Sequence, residues 1–166
     1  MRFAPAAAAL SLVAALTASV AVSADRAPDP RAAALVAEGQ AQLQAGQTQA
    51  AIDSFEAALA VDPGYDAVFV NLAEAARAEG LQGKAIHYYR EMLQRDPTNL
   101  AAIAGEGMAL MEKGAVEKAR EKLAVLEGMC GTSCSQTQAL ASSIARGPAP
   151  RLANNQANAD EAVTQN

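Results

Sequence analysis

Apolar side chains along residues 31–129 recur at the spacing of one helix face, in short stretches that break off at glycine or at Asp-Pro, and the pattern repeats every 34 residues. Gly46, Gly80 and Gly114 keep that interval, as do Ala51, Ala85 and Ala119 and the large residues Phe55, Tyr89 and Leu123. Asp62-Pro63 returns as Asp96-Pro97, Leu35 as Phe69 and Ile103, and Gly39 as Gly107 with Ala73 between them. A strict period of this length signals stacked copies of one supersecondary unit. The pattern predicts helices over residues 31–45, 48–61, 65–79, 81–95, 99–113, 115–129 and 135–146.

Each recurring residue type has a physical task in a pair of antiparallel helices. A glycine just past an apolar stretch ends the helix in the left-handed conformation that side chains disfavour. The small Ala51, Ala85 and Ala119 let the second helix of a pair approach the first, and Phe55, Tyr89 and Leu123, one turn further along the same face, fill the space beneath. Pro63 and Pro97 cannot continue the preceding helix and force the turn into the next pair. The stretch 135–146 presents Leu140 and Ile144 on one side and Ser and Gln elsewhere, as expected of a helix that covers the last apolar face of a stack. Helices this short are marginal alone, so stability is expected to come from stacking.

With these residues in register, the stretch from Arg31 to Glu127 resembles three consecutive units of the tetratricopeptide repeat family. It departs from the family pattern where Leu35 and Ile103 stand for the bulky aromatic that Phe69 supplies, and where Gly131 replaces proline in the third unit. The resemblance implies an all-α fold, a right-handed α-solenoid of antiparallel helix pairs, with units at about 32–65, 66–99 and 100–131 and a capping helix at 135–146. It also implies a groove, lined chiefly by the first helix of each pair, that binds a peptide or protein. Carried over residue by residue, that groove comprises Val36, Gln40, Leu43 and Gln44, then Val70, Asn71, Glu74 and Arg77, then Ala104, Met108, Met111 and Glu112. Thioethers among amides suit an adaptable contact, and the alternative for Leu43, Met108 and Met111 is that they complete the core. Some family members clamp a terminal carboxylate with paired lysines and asparagines. Of such a set only Asn71 is present, with Val36, Gln40, Ala101 and Gly105 at other lining positions, so no carboxylate-clamp specificity is expected.

The first 24 residues change the picture of where this module works. Arg2, the apolar run from Phe3 to Val22 and the small residues Val22-Ser23-Ala24 read as a cleaved secretory leader, with cleavage after Ala24. A retained anchor is the alternative, because the run is just long enough to span a bilayer. The alanines make it a weak anchor, and no cluster of positive charge follows it. No cysteine follows the run as in a bacterial lipoprotein, and no other segment is a candidate span. Residues 25–30 read as a linker, 31–146 as the repeat domain and 147–166 as a tail too poor in apolar residues to fold. The leader and the alanine-rich composition lead us to expect export, to the periplasm of a Gram-negative bacterium, and an envelope or exported protein as partner. Thirteen basic residues against 18 acidic give a net charge of −5, one unit more negative without Arg2. Such a surface argues against nucleic acid and anionic lipid, both of which need clustered Lys and Arg.

Cys130 and Cys134 in a chain bound for an oxidising compartment are expected to form a disulfide, with Gly131 and Ser133 breaking the helix so that the sulfurs meet. A loop that short contributes about 1 to 3 kcal/mol. The alternative is a redox pair serving envelope protein maturation, although a thioredoxin-like centre would have two residues between its cysteines and a βαβ context. A metal site would need more ligands than two thiols and the distant His87, and none is expected. His87, the only histidine, reads as a surface residue, since a catalytic base needs a partner that this sequence does not supply. Glu112, Glu117 and Glu121 read as a solvated helix face with Lys113, Lys118 and Lys122. No cofactor loop is present, and no enzyme activity is expected. Self-association through the groove or an exposed end of the stack is a third reading.

Overall fold

The computed structural model describes residues 26–147, and the expected leader and the tail beyond Gly147 lie outside them. The described residues form seven helices and no strand: α1 Pro30–Gln44, α2 Thr48–Val61, α3 Val68–Ala78, α4 Gln82–Arg95, α5 Leu100–Glu112, α6 Val116–Cys130 and α7 Ser135–Arg146. Helices α1 and α2, α3 and α4, and α5 and α6 pack as pairs, the first helices α1, α3 and α5 touch in succession, and α7 lies against α5 and α6. This is an all-α solenoid of three helix pairs with a seventh helix at its end. None of the helices is long and apolar enough to cross a membrane.

The turn inside each pair is the same structure three times. Gly46, Gly80 and Gly114 have φ of 76°, 72° and 86°. Each donates its N–H three residues back, and the residue after it donates to the carbonyl five back, as Gln47 does to Gln42 at 2.9 Å. That doubly bonded left-handed turn closes the orphaned carbonyls of the first helix and reverses the chain in the fewest residues.

The turns between pairs are built on Asp62 and Asp96, and they differ. Asn99 caps α5 by accepting the Ala102 N–H at 2.9 Å. Its counterpart one period earlier is Tyr65, which has no side-chain acceptor to reach back with. The chain there winds through three-residue bonds, Val68 to Tyr65, Phe69 to Asp66 and Val70 to Ala67, so α3 begins at Val68 rather than at the expected Tyr65. Asp62 compensates by drawing in the N-terminal segment. Its buried carboxylate accepts the Asp29 N–H at 3.0 Å and the Gly64 N–H at 3.2 Å and pairs with Arg26. Residues 26–29, expected to be linker, are thus part of the folded body, and Asp29 caps α1 by accepting the Arg31 N–H at 2.8 Å.

The core lies between the helix layers in three adjoining clusters, the first around Phe55 and Leu72, the middle around Tyr89 and Met92, and the last around Ile103, Leu126 and Leu140. Fully buried alanines, including Ala51, Ala85 and Ala119, set the close helix spacing. Leu140 of α7 presses on Gly107 so closely that a Cβ there would lie 2.6 Å from Leu140 Cδ2. α7 therefore stands where the first helix of a fourth pair would stand.

Candidate protein-binding groove

Helices α1, α3 and α5 lie side by side and present one shared face, across which polar side chains join neighbouring helices. Gln40 of α1 donates its amide to Asn71 Oδ1 of α3 at 3.1 Å, and Asn71 donates to the Ala67 carbonyl at 3.2 Å, which orients its amide. Arg77 of α3 grips Glu112 of α5 through two bonds, Nε to Oε2 at 3.2 Å and Nη2 to Oε1 at 2.5 Å. The sequence names these four residues separately; the fold brings them into two cross-helix pairs. Glu112, expected both in the groove and on a solvated face, is half-buried and pairs with Arg77 across the groove.

The electrostatics of this strip follow from partial desolvation. Crowding by neighbours pushes the Glu74 carboxyl above the usual carboxylate range, with the Arg77 charge pulling the other way. Burial also works against the Arg77 charge, but Glu112 and then Tyr89 outweigh it and hold the guanidinium above its ordinary pKa. Burial raises the Tyr89 phenol.

Other expected groove residues are placed differently. Val36 is 6% exposed and Met111 1%, both inside core clusters, so neither has surface to offer a ligand. They sit on the first helices but on the side turned to the second helix. Leu43, Val70 and Met108 are half-buried edges of the core, Ala104 is buried, and Gln44 and Glu74 are exposed. Tyr89 was not legible as a groove residue because it lies on α4. Its ring passes beneath α5 at Gly105, where a Cβ would lie 2.2 Å from Tyr89 Cζ, and its hydroxyl reaches Arg77 from below. A glycine at position 105, outside the 34-residue glycine set, is the signal that could have revealed it.

The remaining candidates lie away from this strip. Cys130 ends α6, Gly131 follows with φ of 80°, and Cys134 precedes α7. The two sulfurs are joined with the Cα atoms 5.9 Å apart, and the buried Thr137 hydroxyl touches both, at 3.4 and 3.1 Å. His87 is exposed on α4 beside Tyr88. Glu117 pairs with Arg120, whereas Lys122, expected beside Glu121 on a solvated face, turns inward to Glu106. Among the described residues no group of three or more His, Cys, Asp and Glu side chains converges as a metal would need.

Comparison with known proteins agrees with this geometry. The tetratricopeptide repeat family model matches residues 36–100. No curated protein matches the chain significantly. Among solved structures, the chain is similar to the tetratricopeptide domain of Sgt2 from Aspergillus fumigatus, at 26% identity and a TM-score of 0.63 over 72% of this chain and 81% of that one. It is also similar to the second such domain of human RPAP3 in complex with the HSP70 peptide SGPTIEEVD, at 18% identity and a TM-score of 0.61, covering 69% and 95%. A third is the Yersinia enterocolitica type III secretion chaperone SycD in complex with a peptide of the translocator YopD, at 20% identity and a TM-score of 0.59, covering 69% and 86%. Residues 36–100 thus match the tetratricopeptide repeat family in sequence, and most of the chain's length shares the fold of tetratricopeptide domains.

Proposed function

We propose that the protein is a non-enzymatic interaction module that holds an extended segment of another exported protein along the face of α1, α3 and α5. The observation that carries this reading is the Gln40–Asn71 pair, an oriented amide bridge between neighbouring helices. Such amides offer a donor and an acceptor to a peptide backbone without demanding a particular side chain. Half-buried Leu43, Val70 and Met108 border the bridge with apolar surface that can repack around different residues. Solved relatives of this fold hold peptides, as SycD does with a segment of YopD, and that supports the reading.

The groove argues against a terminal-carboxylate clamp. Arg77, its one cation from α3, is committed to Glu112. A C-terminal peptide that loses most of its affinity on amidation would overturn this point. The setting we propose is the periplasm of a Gram-negative bacterium, supported by the leader-like first 24 residues and by the cysteine pair that closes the turn before α7. A thiol–disulfide role for Cys130 and Cys134 is the second reading, supported by their joined sulfurs. Replacing both by alanine separates the two, since an adaptor loses some stability and keeps its partner, whereas a redox protein loses its function.

A photocrosslinking residue placed at Asn71, at Arg77 and, away from the groove, at His87 tests the main reading in intact cells. Capture of one envelope protein from the two groove positions alone supports it. Capture of the chain itself from every position replaces it with self-assembly.

A further inference from the structure

The position of residue 106 is glutamate in the first and third units and leucine in the second, and only the third unit buries the carboxylate. One period earlier the position is Leu72, 1% exposed in the core; in the third unit it is Glu106, equally buried. Glu38 of the first unit is exposed to water, whereas Glu106 is enclosed. A carboxylate taken from water must be neutralised. Arg90 of α4 does so with Nε at 2.8 Å from Oε1, and Lys122 of α6 with Nζ at 2.6 Å from Oε2. A buried ionic triad is a poor stabiliser, because well-packed apolar groups do as well or better. Its distinct effect is to anchor two cations whose long side chains would otherwise move freely.

Those two cations stand on opposite walls of a cleft of about 550 Å³ between α4 and α6, with Glu106 and Leu110 as its floor and Leu93 and Lys118 on its sides. Arg90 engages Glu106 through Nε alone, which leaves its terminal amino groups uncommitted to that bond. Lys118 is exposed and has no ion pair among the described residues. The cleft thus gathers Arg90, Lys118 and Lys122 against Glu106 and Glu121, on a chain whose net charge is −5. An acidic ligand is repelled by most of this surface and attracted here. Leu93 and Leu110 add apolar contact that a bare anion would not use.

We infer that this cleft is a second docking site, distinct from the α1–α3–α5 groove, for a segment of a partner protein that carries acidic side chains beside leucine-like ones. The acidic groups bridge Arg90, Lys118 and Lys122, and the apolar groups rest on Leu93 and Leu110. One module then engages two segments, one in the groove and one between α4 and α6.

The test is a nuclear magnetic resonance titration of the full exported chain with the blocked peptide Leu-Glu-Glu-Leu-Glu-Glu, and with Leu-Gln-Gln-Leu-Gln-Gln and inorganic sulfate as comparisons. The expected result is saturable shifts at the amides of Arg90, Leu93, Lys118 and Lys122 with the acidic peptide only. Lys118→Ala, a surface change that leaves the Glu106 triad intact, weakens it about tenfold, and Asn71→Ala in the groove leaves it unchanged. The inference falls if no shift appears at millimolar peptide, if Lys118→Ala has no effect, or if the glutamine peptide binds as well. It falls equally if sulfate reproduces the shifts, which would make the cleft a simple oxyanion site. Shifts at these residues on concentrating the protein alone would replace the partner with a second copy of the chain.

Discussion

Phe55 and Tyr89 occupy the same position in successive units, are both buried, and point to different neighbours. Phe55 lies against Gly39 of its own unit, where a Cβ would come within 2.5 Å of Cε1. Tyr89 has Ala73 at the position equivalent to Gly39, and that methyl closes the pocket Phe55 uses. Its opening is instead Gly105 in the next unit, at the position where the preceding unit has Asn71. The ring therefore crosses the boundary between units and places its hydroxyl against Arg77. The period dictates where the large side chain falls, and the distribution of glycines decides whether it closes its own unit or fastens the next.

Four experiments break or sharpen that comparison. Phe55→Ala and Tyr89→Ala should each cost about 3 to 5 kcal/mol by urea unfolding. Only the Tyr89 change should also uncouple the third unit, seen as faster amide hydrogen exchange across α5 and α6; equal exchange in the two variants would remove the distinction. Gly105→Ala should cost about 1 to 3 kcal/mol, and Tyr89→Leu in the same chain should recover part of that loss, whereas Phe55→Leu should recover none.

Alkaline pH gives a smaller effect with a defined sign. Burial raises the Tyr89 pKa above its unfolded value of about 10. The stability contributed by the neutral phenol is complete below that value and is lost as pH rises through the folded pKa. The melting temperature of the native chain should fall more steeply above pH 10 than that of Tyr89→Phe, and parallel curves would contradict the assignment. At neutral pH Tyr89→Phe should cost about 1 kcal/mol, the net worth of one hydrogen bond, measured by the same unfolding titration.

Much of the fold was legible because it rests on local chemistry repeated three times. Gly46, Gly80 and Gly114 end their helices for reasons contained in a few residues, and six helices lie within a residue or two of their expected bounds. The exception, α3, began late because Tyr65 cannot cap as Asn99 does, a contrast visible only by setting the two units side by side. The groove was legible to the level of the helix and not of the side chain. Val36 and Met111 fall on the right helices, but a small rotation about a helix axis decides between groove and core. The Arg77–Glu112 and Glu106–Arg90–Lys122 pairings join helices through tertiary geometry, for which a linear spacing carries no signal.

The seating of Leu140 on Gly107 has a consequence for how this architecture could be lengthened. Because α7 already fills the berth of a fourth pair, a copy of the unit appended after Arg146 would find no open face to stack upon. A copy of residues 66–99 inserted ahead of Leu100, with glycine in place of its Asn71 to receive the Tyr89 ring of the unit before it, would have a unit on either side to stack upon. Growth in repeat number, by recombination or by an engineer, is therefore admitted in the interior of this array and refused at its C-terminal end.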